Sequence, residues 1–524
     1  MSGFKPKLRL LAAIAAVFAC ALALSAAAQA TAIGAFTTKG AWSFVSAPKL
    51  HPPKLTTDFQ TQPGLAPGYF MTGVFKNLGV NQPMTGQSGP LMLDSHLQPV
   101  WFNPIGVNAL AANLTVQTYN GKPVLSWWQG VVDGTGATKS GEDEVVDQHY
   151  RHLATLKGAD GWILSEHEMI VSGGNAWVTA YKTVPMNLTP YGGAANGSVL
   201  DSAVQEYDLK TGNLLYTWDA LNPGGTPNIP LSQSQYKPFP GIPWDAYHIN
   251  SIQLAGNETF LVSMRNTWSA YLVSRTTNAI QWTLSGNPKL STFSLPAKAR
   301  FHWQHDVQMH GGNVVSMFDD GCCGLKGVNN GKAIFDVHPY SPMRGLVLKL
   351  DPAKHTGSLV NQYTRGPKDF TAFLGNTQLL PGGNVAISWG SQRVFSELTA
   401  QGRFLFDAVW PSPDENYRTY VQKWVGTPFF PPSGAVRDNG GKATVYASWD
   451  GATQVASWRV LAGSSAGSLK GVASRAKNGF ETTIPLTGTF KVYKVQALDS
   501  GHHVLGTSNA FPSSSSNNGL PGQY

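Results

Sequence analysis

Charge and cysteine are both scarce in this chain. Asp, Glu, Lys and Arg make up 13% of its 524 residues, about half the share usual in globular proteins. That excludes a coiled coil or a charge-extended disordered chain. Of three cysteines, Cys20 lies in the apolar N-terminal run, which leaves the neighbours Cys322 and Cys323. An adjacent pair cannot staple distant segments, and two thiols alone do not make a zinc site. In an oxidising compartment they would form a strained vicinal disulfide; free or intermolecularly paired thiols are the equal alternative. No sustained 3.6-residue apolar pattern follows the N-terminus, which excludes a helical bundle. No second apolar stretch is long enough to span a bilayer. The formal charge of +8 drops to +5 without Lys5, Lys7 and Arg9. The remaining positive charge is scattered without a Lys/Arg block, so no nucleic-acid partner is expected.

What is abundant is turn and strand chemistry: 56 glycines, 34 prolines and 11% aromatics. Residues 1–30 read as a secretory signal peptide. They have a basic start, an apolar run from Leu10 to Leu24 and the small-residue site Ala28-Gln29-Ala30. An uncleaved anchor is the rival reading. With cleavage, the mature chain is expected outside the cytoplasm, secreted or periplasmic, without stable membrane insertion. Gly/Asn turns then introduce β-branched and aromatic runs: NGKPVLSWWQG from Asn120, GGNAWVTAY from Gly173, TGNLLYTW from Thr211, GNETFLVSM from Gly256, GGNVVSMFDD from Gly311 and GGNVAISWG from Gly382. Recurring four-strand meanders are the pattern of a β-propeller. The expected organisation is all-β. An extended segment (31–66) precedes a six-bladed propeller (67–432) decorated by long loops, notably Asn187–Pro243. An immunoglobulin- or fibronectin-like β-sandwich (437–511) and a disordered tail (512–524) follow.

Counting back six residues from the turn glycine gives His167 from Gly173, Asn250 from Gly256, His305 from Gly311 and Asn376 from Gly382. Equivalent positions in propeller blades meet at the central channel, so these four are expected around one opening. His248 precedes Asn250 by two residues, and strand alternation would put both on one face. Arg265 ends the following strand and adds a permanent charge suited to a tetrahedral oxyanion. Together these residues make a receptor for sulfate or phosphate, and an imidazole is a competent nucleophile toward such a group. A metal held by three histidines is not supported by any HExxH motif or carboxylate-rich loop. Asp306 and Asp319 also suit turn and closure hydrogen bonds, and Trp127, Trp128, Trp268 and Trp303 suit packing.

From Ser126 to Gly402 the stretches SWWQG, SEHEMIVS, VQEYDLKTGNLLYTW, DAYHINSI, SMRNTWSAYLVSR, FHWQHDVQM, MFDDG, LGNTQLLPGGNVAISWG and FSELTAQG occur in one order. In them the chain resembles the PAPS-independent arylsulfotransferases of the propeller type, in their divergent secreted branch. The resemblance implies transfer of a sulfuryl group from an aryl sulfate to a phenol through a sulfohistidine, with no nucleotide donor and no cofactor. It implies His305 as nucleophile in the Gln304-His305 pair, with His248 and His167 as acid–base partners. Arg265 and Asn250 would bind substrate, with Asn376 joining them by its blade phase. Small-molecule aryl sulfate and phenol are the implied partners. Three features depart from the family pattern. Asp320 stands where many relatives carry Asn, the Cys322-Cys323 insert is unfamiliar, and a supporting Thr is matched by either Thr377 or Thr419. The competing expectation is a non-catalytic secreted propeller that binds an anionic or sulfated ligand.

Overall fold

The computed structural model describes residues 36–513 except 58–62, 78–81, 107–108, 135, 236, 257, 323–324, 330–331, 336–339, 368 and 439. The signal peptide, Cys323 and all but the first two residues of the tail lie outside the described residues. Among the described residues the chain is all-β, and its helical turns are short 3-10 turns. No helix among them is long and apolar enough to cross a membrane.

Antiparallel four-stranded meanders follow one another along the chain. Sheet 2 comprises Leu110–Tyr119, Lys122–Val132, Thr138–Asp147 and His152–Lys157. Sheet 3 comprises Ile163–Ser172, Asn175–Met186, Gly197–Asp208 and Leu214–Asp219. Sheet 4 comprises Ile249–Leu254, Thr259–Met264, Ser269–Ser274 and Ile280–Ser285. Sheet 5 comprises His305–His310, Val314–Asp319, Arg344–Asp351 and Thr356–Tyr363. Sheet 6 comprises Asn376–Leu379, Val385–Ser388, Val394–Leu398 and Phe404–Val409. Sheet 1 joins the two ends of this region: Thr419–Gln422 pairs with Tyr69–Lys76, which continues into Gly89–Leu93 and Pro99–Phe102. The expected long loop Asn187–Pro243 is therefore shorter. Its middle supplies the third and fourth strands of sheet 3, because the apolar alternation of VQEYDLKTGNLLYTW outweighs the flanking turn residues.

The first strands pack in a closed ring. Leu110–Tyr119 lies on Ile163–Ser172, then come Ile249–Leu254, His305–His310, Asn376–Leu379 and Thr419–Gln422, which returns to Leu110–Tyr119. Burial follows this arrangement. Second strands such as Val385–Ser388 are buried throughout, whereas the outer Thr356–Tyr363 alternates between exposed and half-buried up to its buried last residue, Tyr363. Glutamine amides tie neighbouring first strands together. Gln253 Nε2 donates to Met309 O (2.9 Å) while its Oε1 accepts from Met309 N (2.6 Å). Gln378 does the same with Val421 (3.2 and 2.8 Å), and Gln117 bridges Met169 O and Val171 N (2.7 and 3.3 Å). Each clip satisfies a backbone donor and acceptor that would otherwise face the ring interior.

C-terminal to the ring, two further sheets enclose one apolar core that includes Val445, Trp458, Val460, Tyr493 and Phe511. Their strands alternate buried and half-buried residues, as in Ser457–Gly463. The first of these strands, Ser433–Asp438, begins a few residues before the expected boundary at 437. Phe102 N donating to Asp450 Oδ1 (3.1 Å) and Tyr150 OH donating to Gly451 O (2.7 Å) seat these sheets on the ring.

Candidate active site

Four of the six first strands begin irregularly. Sheet register slips between Ala112 and Thr115, between Leu164 and Met169, between Ile249 and Ser251, and between His305 and Gln308. The residues inside these bulges leave the ladder, and Asn113, His248, Trp303 and Asp306 near them adopt positive φ. Such backbone is costly for non-glycine residues and persists where surrounding contacts hold it. Here it turns side chains from successive strands toward one another.

The imidazoles of His167 and His248 lie 5.0 Å apart between ring centroids, and those of His248 and His305 lie 6.5 Å apart. Tyr417 packs edge-on against His167 (5.4 Å) and His305 (6.4 Å). All three histidines are buried. Burial is the main cause that lowers their proton affinity; Arg265, His248 and Arg418 act in the same direction on His305. Neutral rings follow, and a neutral imidazole is the form that serves as nucleophile or base.

Each ring has a polar neighbour. His248 Nδ1 contacts Asp245 Oδ2 at 2.6 Å, leaving Nε2 as its other face. His167 Nδ1 lies 3.1 Å from Ser165 Oγ, and Glu166 Oε1 is 3.8 Å from its Nε2. Burial pushes Glu166 up to about 7, against the hydrogen bond that Thr138 donates to it. His305 Nδ1 is 3.0 Å from Asp320 Oδ2. Arg265 stacks over the buried Trp303 ring (4.5 Å to its centroid), with Nη2 4.0 Å from Asp245 Oδ2. Trp303 thus packs, as expected, and also carries the guanidinium. A cavity of about 430 Å³ opens beside Arg265, Asp245, Tyr181 and Trp303, walled by Phe239, Ile242 and Trp244.

The two asparagines are placed differently from the expectation that they face the anion. Asn250 Nδ2 donates to Gln304 O (2.7 Å), fixing the peptide that carries His305. The register slip at Ile249–Ser251 breaks the alternation that was to put Asn250 and His248 on one face. Asn376 spends both ends of its amide on Thr419, with Nδ2 donating to O and Oδ1 accepting from N, each at 3.0 Å. Both asparagines are inter-strand clips. Thr419 Oγ1 accepts from Asn416 Nδ2 (2.9 Å), and Thr377 lines a second cavity at the mid-strand level with Glu168, Asp306 and Gln378.

The arylsulfotransferase (ASST) family model matches residues 115–410, more than half of the chain. The chain belongs to the arylsulfotransferase family. No curated protein matches it. Among solved structures it is similar to a protein of unknown function from Bacteroides caccae (11% identity, 68% of this chain and 98% of that one, TM-score 0.38). It is also similar to quinohemoprotein alcohol dehydrogenase from Comamonas testosteroni (13%, 70% and 62%, 0.30). A third is a β-propeller domain from Myceliophteria thermophila (9%, 72% and 95%, 0.31). At these identities and TM-scores the likeness assigns neither activity nor ligand.

Sequence reasoning missed three members of this cluster. Arg418 is buried beneath the imidazoles. It donates to Glu168 Oε2 (2.8 Å), Asn250 O (2.5 Å) and Tyr417 OH (3.1 Å), and lies 3.6 Å from Asp306 Oδ1. Asn113, which sits in an N-x-S/T sequon, is buried and donates to Glu166 O (2.8 Å) and His167 O (2.5 Å). Asp245 stands three residues before His248, and its DxxH spacing was the available signal. Asp319, by contrast, makes turn and within-sheet bonds, accepting from Gly321 N at 3.1 Å and from its cross-strand partner Arg344 Nε at 2.8 Å. Cys322 is buried and disulfide-bonded, which removes the free-thiol reading for that residue. Among the described residues no group of three or more His, Cys, Asp or Glu side chains is placed to hold a metal ion.

Proposed function

We propose that this protein is a secreted sulfotransferase that moves a sulfuryl group from an aryl sulfate to a phenol through a sulfohistidine on His305. In this reading the six sheets are the blades of a β-propeller and the last two sheets form a β-sandwich. The observation that carries it is the convergence of three buried imidazoles and Arg265 at one end of a closed ring, beside a partly apolar cavity.

The roles follow from the contacts. Gln304 Nε2 donates to Ser263 Oγ, Met264 O and Ser269 O at 3.0–3.2 Å, which anchors the backbone before His305. His305 attacks sulfur in line. Arg265 neutralises the sulfuryl oxygens, and a guanidinium supported on an aromatic face in a low-dielectric site does so strongly. Asp245 holds the His248 proton on Nδ1, so its bare Nε2 accepts the proton of the arriving phenol, while the departing group leaves as the phenolate; His167 is the third imidazole of the relay. The aryl group occupies the 430 Å³ cavity, a volume within the range of small-molecule sites.

The test incubates the purified mature protein with a chromogenic aryl sulfate, with and without phenol, and maps peptides by mass. A sulfuryl adduct on the His305 peptide that disappears on adding phenol is expected. His305→Ala should lower transfer on the order of 10³-fold or more with the fold retained. A folded protein that releases no phenolate from several aryl sulfates and carries no adduct would defeat the proposal.

A further inference from the structure

Asp319 and Asp320 are adjacent, both buried, and treated very differently by their surroundings. Asp319 accepts hydrogen bonds from His302 N (2.9 Å), Gly321 N (3.1 Å) and Arg344 Nε (2.8 Å). Asp320 has neither carboxylate oxygen in an aligned hydrogen bond, and its near neighbour is His305 Nδ1, 3.0 Å away and also without an aligned partner. A buried carboxyl group with no structural partner is expensive to keep. The backbone fixes it in place. Gly321 follows at φ 64°, where a Cβ would meet Ser341 O at 2.0 Å, so the turn admits only glycine. The bent approach of Nδ1 to Oδ2 is the geometry of a catalytic hydrogen bond before substrate tightens it.

We propose that Asp320 is the positioning residue of the nucleophile, holding the His305 Nδ1–H so that Nε2 presents the attacking lone pair. The inference rests on the transferase reading above. In the step, the Nε2–S bond forms and the S–O(aryl) bond breaks, its electron pair leaving on the phenolate oxygen. The Nδ1 proton stays between the ring and Asp320, whose carboxylate offsets the positive charge on the sulfurylated ring. The acceptor phenolate reverses each change.

The charged and titratable groups around the pair set its pH response. Arg265 faces both Asp320 and His305, Asp319 flanks Asp320, and His167, His248, Arg418 and Tyr417 face His305, whose ring also meets the Trp303 backbone carbonyl. Burial raises the proton affinity of Asp320, opposed by Arg265 and reinforced by Asp319. While Asp320 keeps its proton, its O–H points at Nδ1 and the ring hydrogen sits on Nε2, which blocks attack. Release of one proton from the pair frees Nε2, so the first half-reaction should speed up with rising pH.

The experiment compares wild type, Asp320→Asn and Asp320→Ala in the full-length mature protein. The amide of Asp320→Asn still accepts from Nδ1–H but carries no charge. It should keep the donor KM, slow the first-turnover release of phenolate about 10- to 100-fold, and lose the pH-dependent rise. Asp320→Ala should be slower again. Nitrogen-15 NMR of histidine-labelled resting wild type should show His305 passing from the Nε2–H to the Nδ1–H tautomer as pH rises. An Asp320→Asn protein with wild-type burst rate and pH profile overturns the proposal, as does an Nε2–H tautomer of wild type at every pH. If wild type releases no phenolate, the transferase reading fails, and the NMR arm still decides the Asp320–His305 pairing.

Discussion

At their beginnings, four of the six first strands of the ring slip out of register with their partners, whereas a few residues later they pair regularly. The two regions carry different chemistry. The irregular starts hold His167, His248 and His305, all ionisable and all buried. The regular middles hold Gln117, Gln253 and Gln378, neutral amides whose hydrogen bonds go to the next strand. A regular strand aims alternate side chains at the ring interior or at its neighbour. A bulge frees that choice and lets side chains from different strands meet. Function therefore concentrates where the ladder is interrupted, and stability where it is intact.

The largest stability effect that tests this contrast lies between the two regions. Arg418→Met leaves Glu168 and Asp306 buried without their cation. Breaking such a network costs about 3–5 kcal/mol, and denaturant unfolding should report a loss of that size. Adding Glu168→Gln should recover part of it. If Arg418→Met unfolds like wild type, the guanidinium is not what holds the irregular starts together.

A smaller effect is expected from the regular region. Gln253→Ala removes two hydrogen bonds to Met309 and leaves a backbone donor and acceptor unpaired, worth about 1–2 kcal/mol. Transfer at a temperature where the variant is folded should stay within about twofold of wild type, as expected for a stability effect away from the chemistry. A large drop in turnover with unchanged stability would erase the division between the regions.

The smallest effect is a pH dependence confined to the starts. Glu166 is raised in the folded protein from 4.5 to about 7, so its contribution to stability is present at low pH and lost as pH rises through about 7. The three imidazoles are lowered from 6.5, so their contribution is lost as pH falls below that value. Linkage then predicts a thermal midpoint that declines on both sides of mildly acidic pH. Glu166→Gln should flatten the alkaline side by a few tenths of a kcal/mol to about 1 kcal/mol. An unchanged alkaline slope would show that other buried carboxyl groups dominate.

Sequence alone determined the strand runs and their turns. Each predicted Gly/Asn turn does introduce a strand, because β-branched and aromatic runs after tight-turn residues are a local property. It also singled out His167 and His305 by their phase and His248 by its place two residues before Asn250, and the structure brings those rings together. What it did not reveal depends on partners far along the chain. Arg418 meets Glu168 across 250 residues, and Asn376 meets Thr419 across 43. An asparagine in the right phase can face a ligand or clip a neighbouring strand, and only the register slip at Ile249–Ser251 shows which. Likewise, nothing local distinguishes Asp320 from Asp319. Tertiary structure alone surrounded one with donors and left the other facing an imidazole.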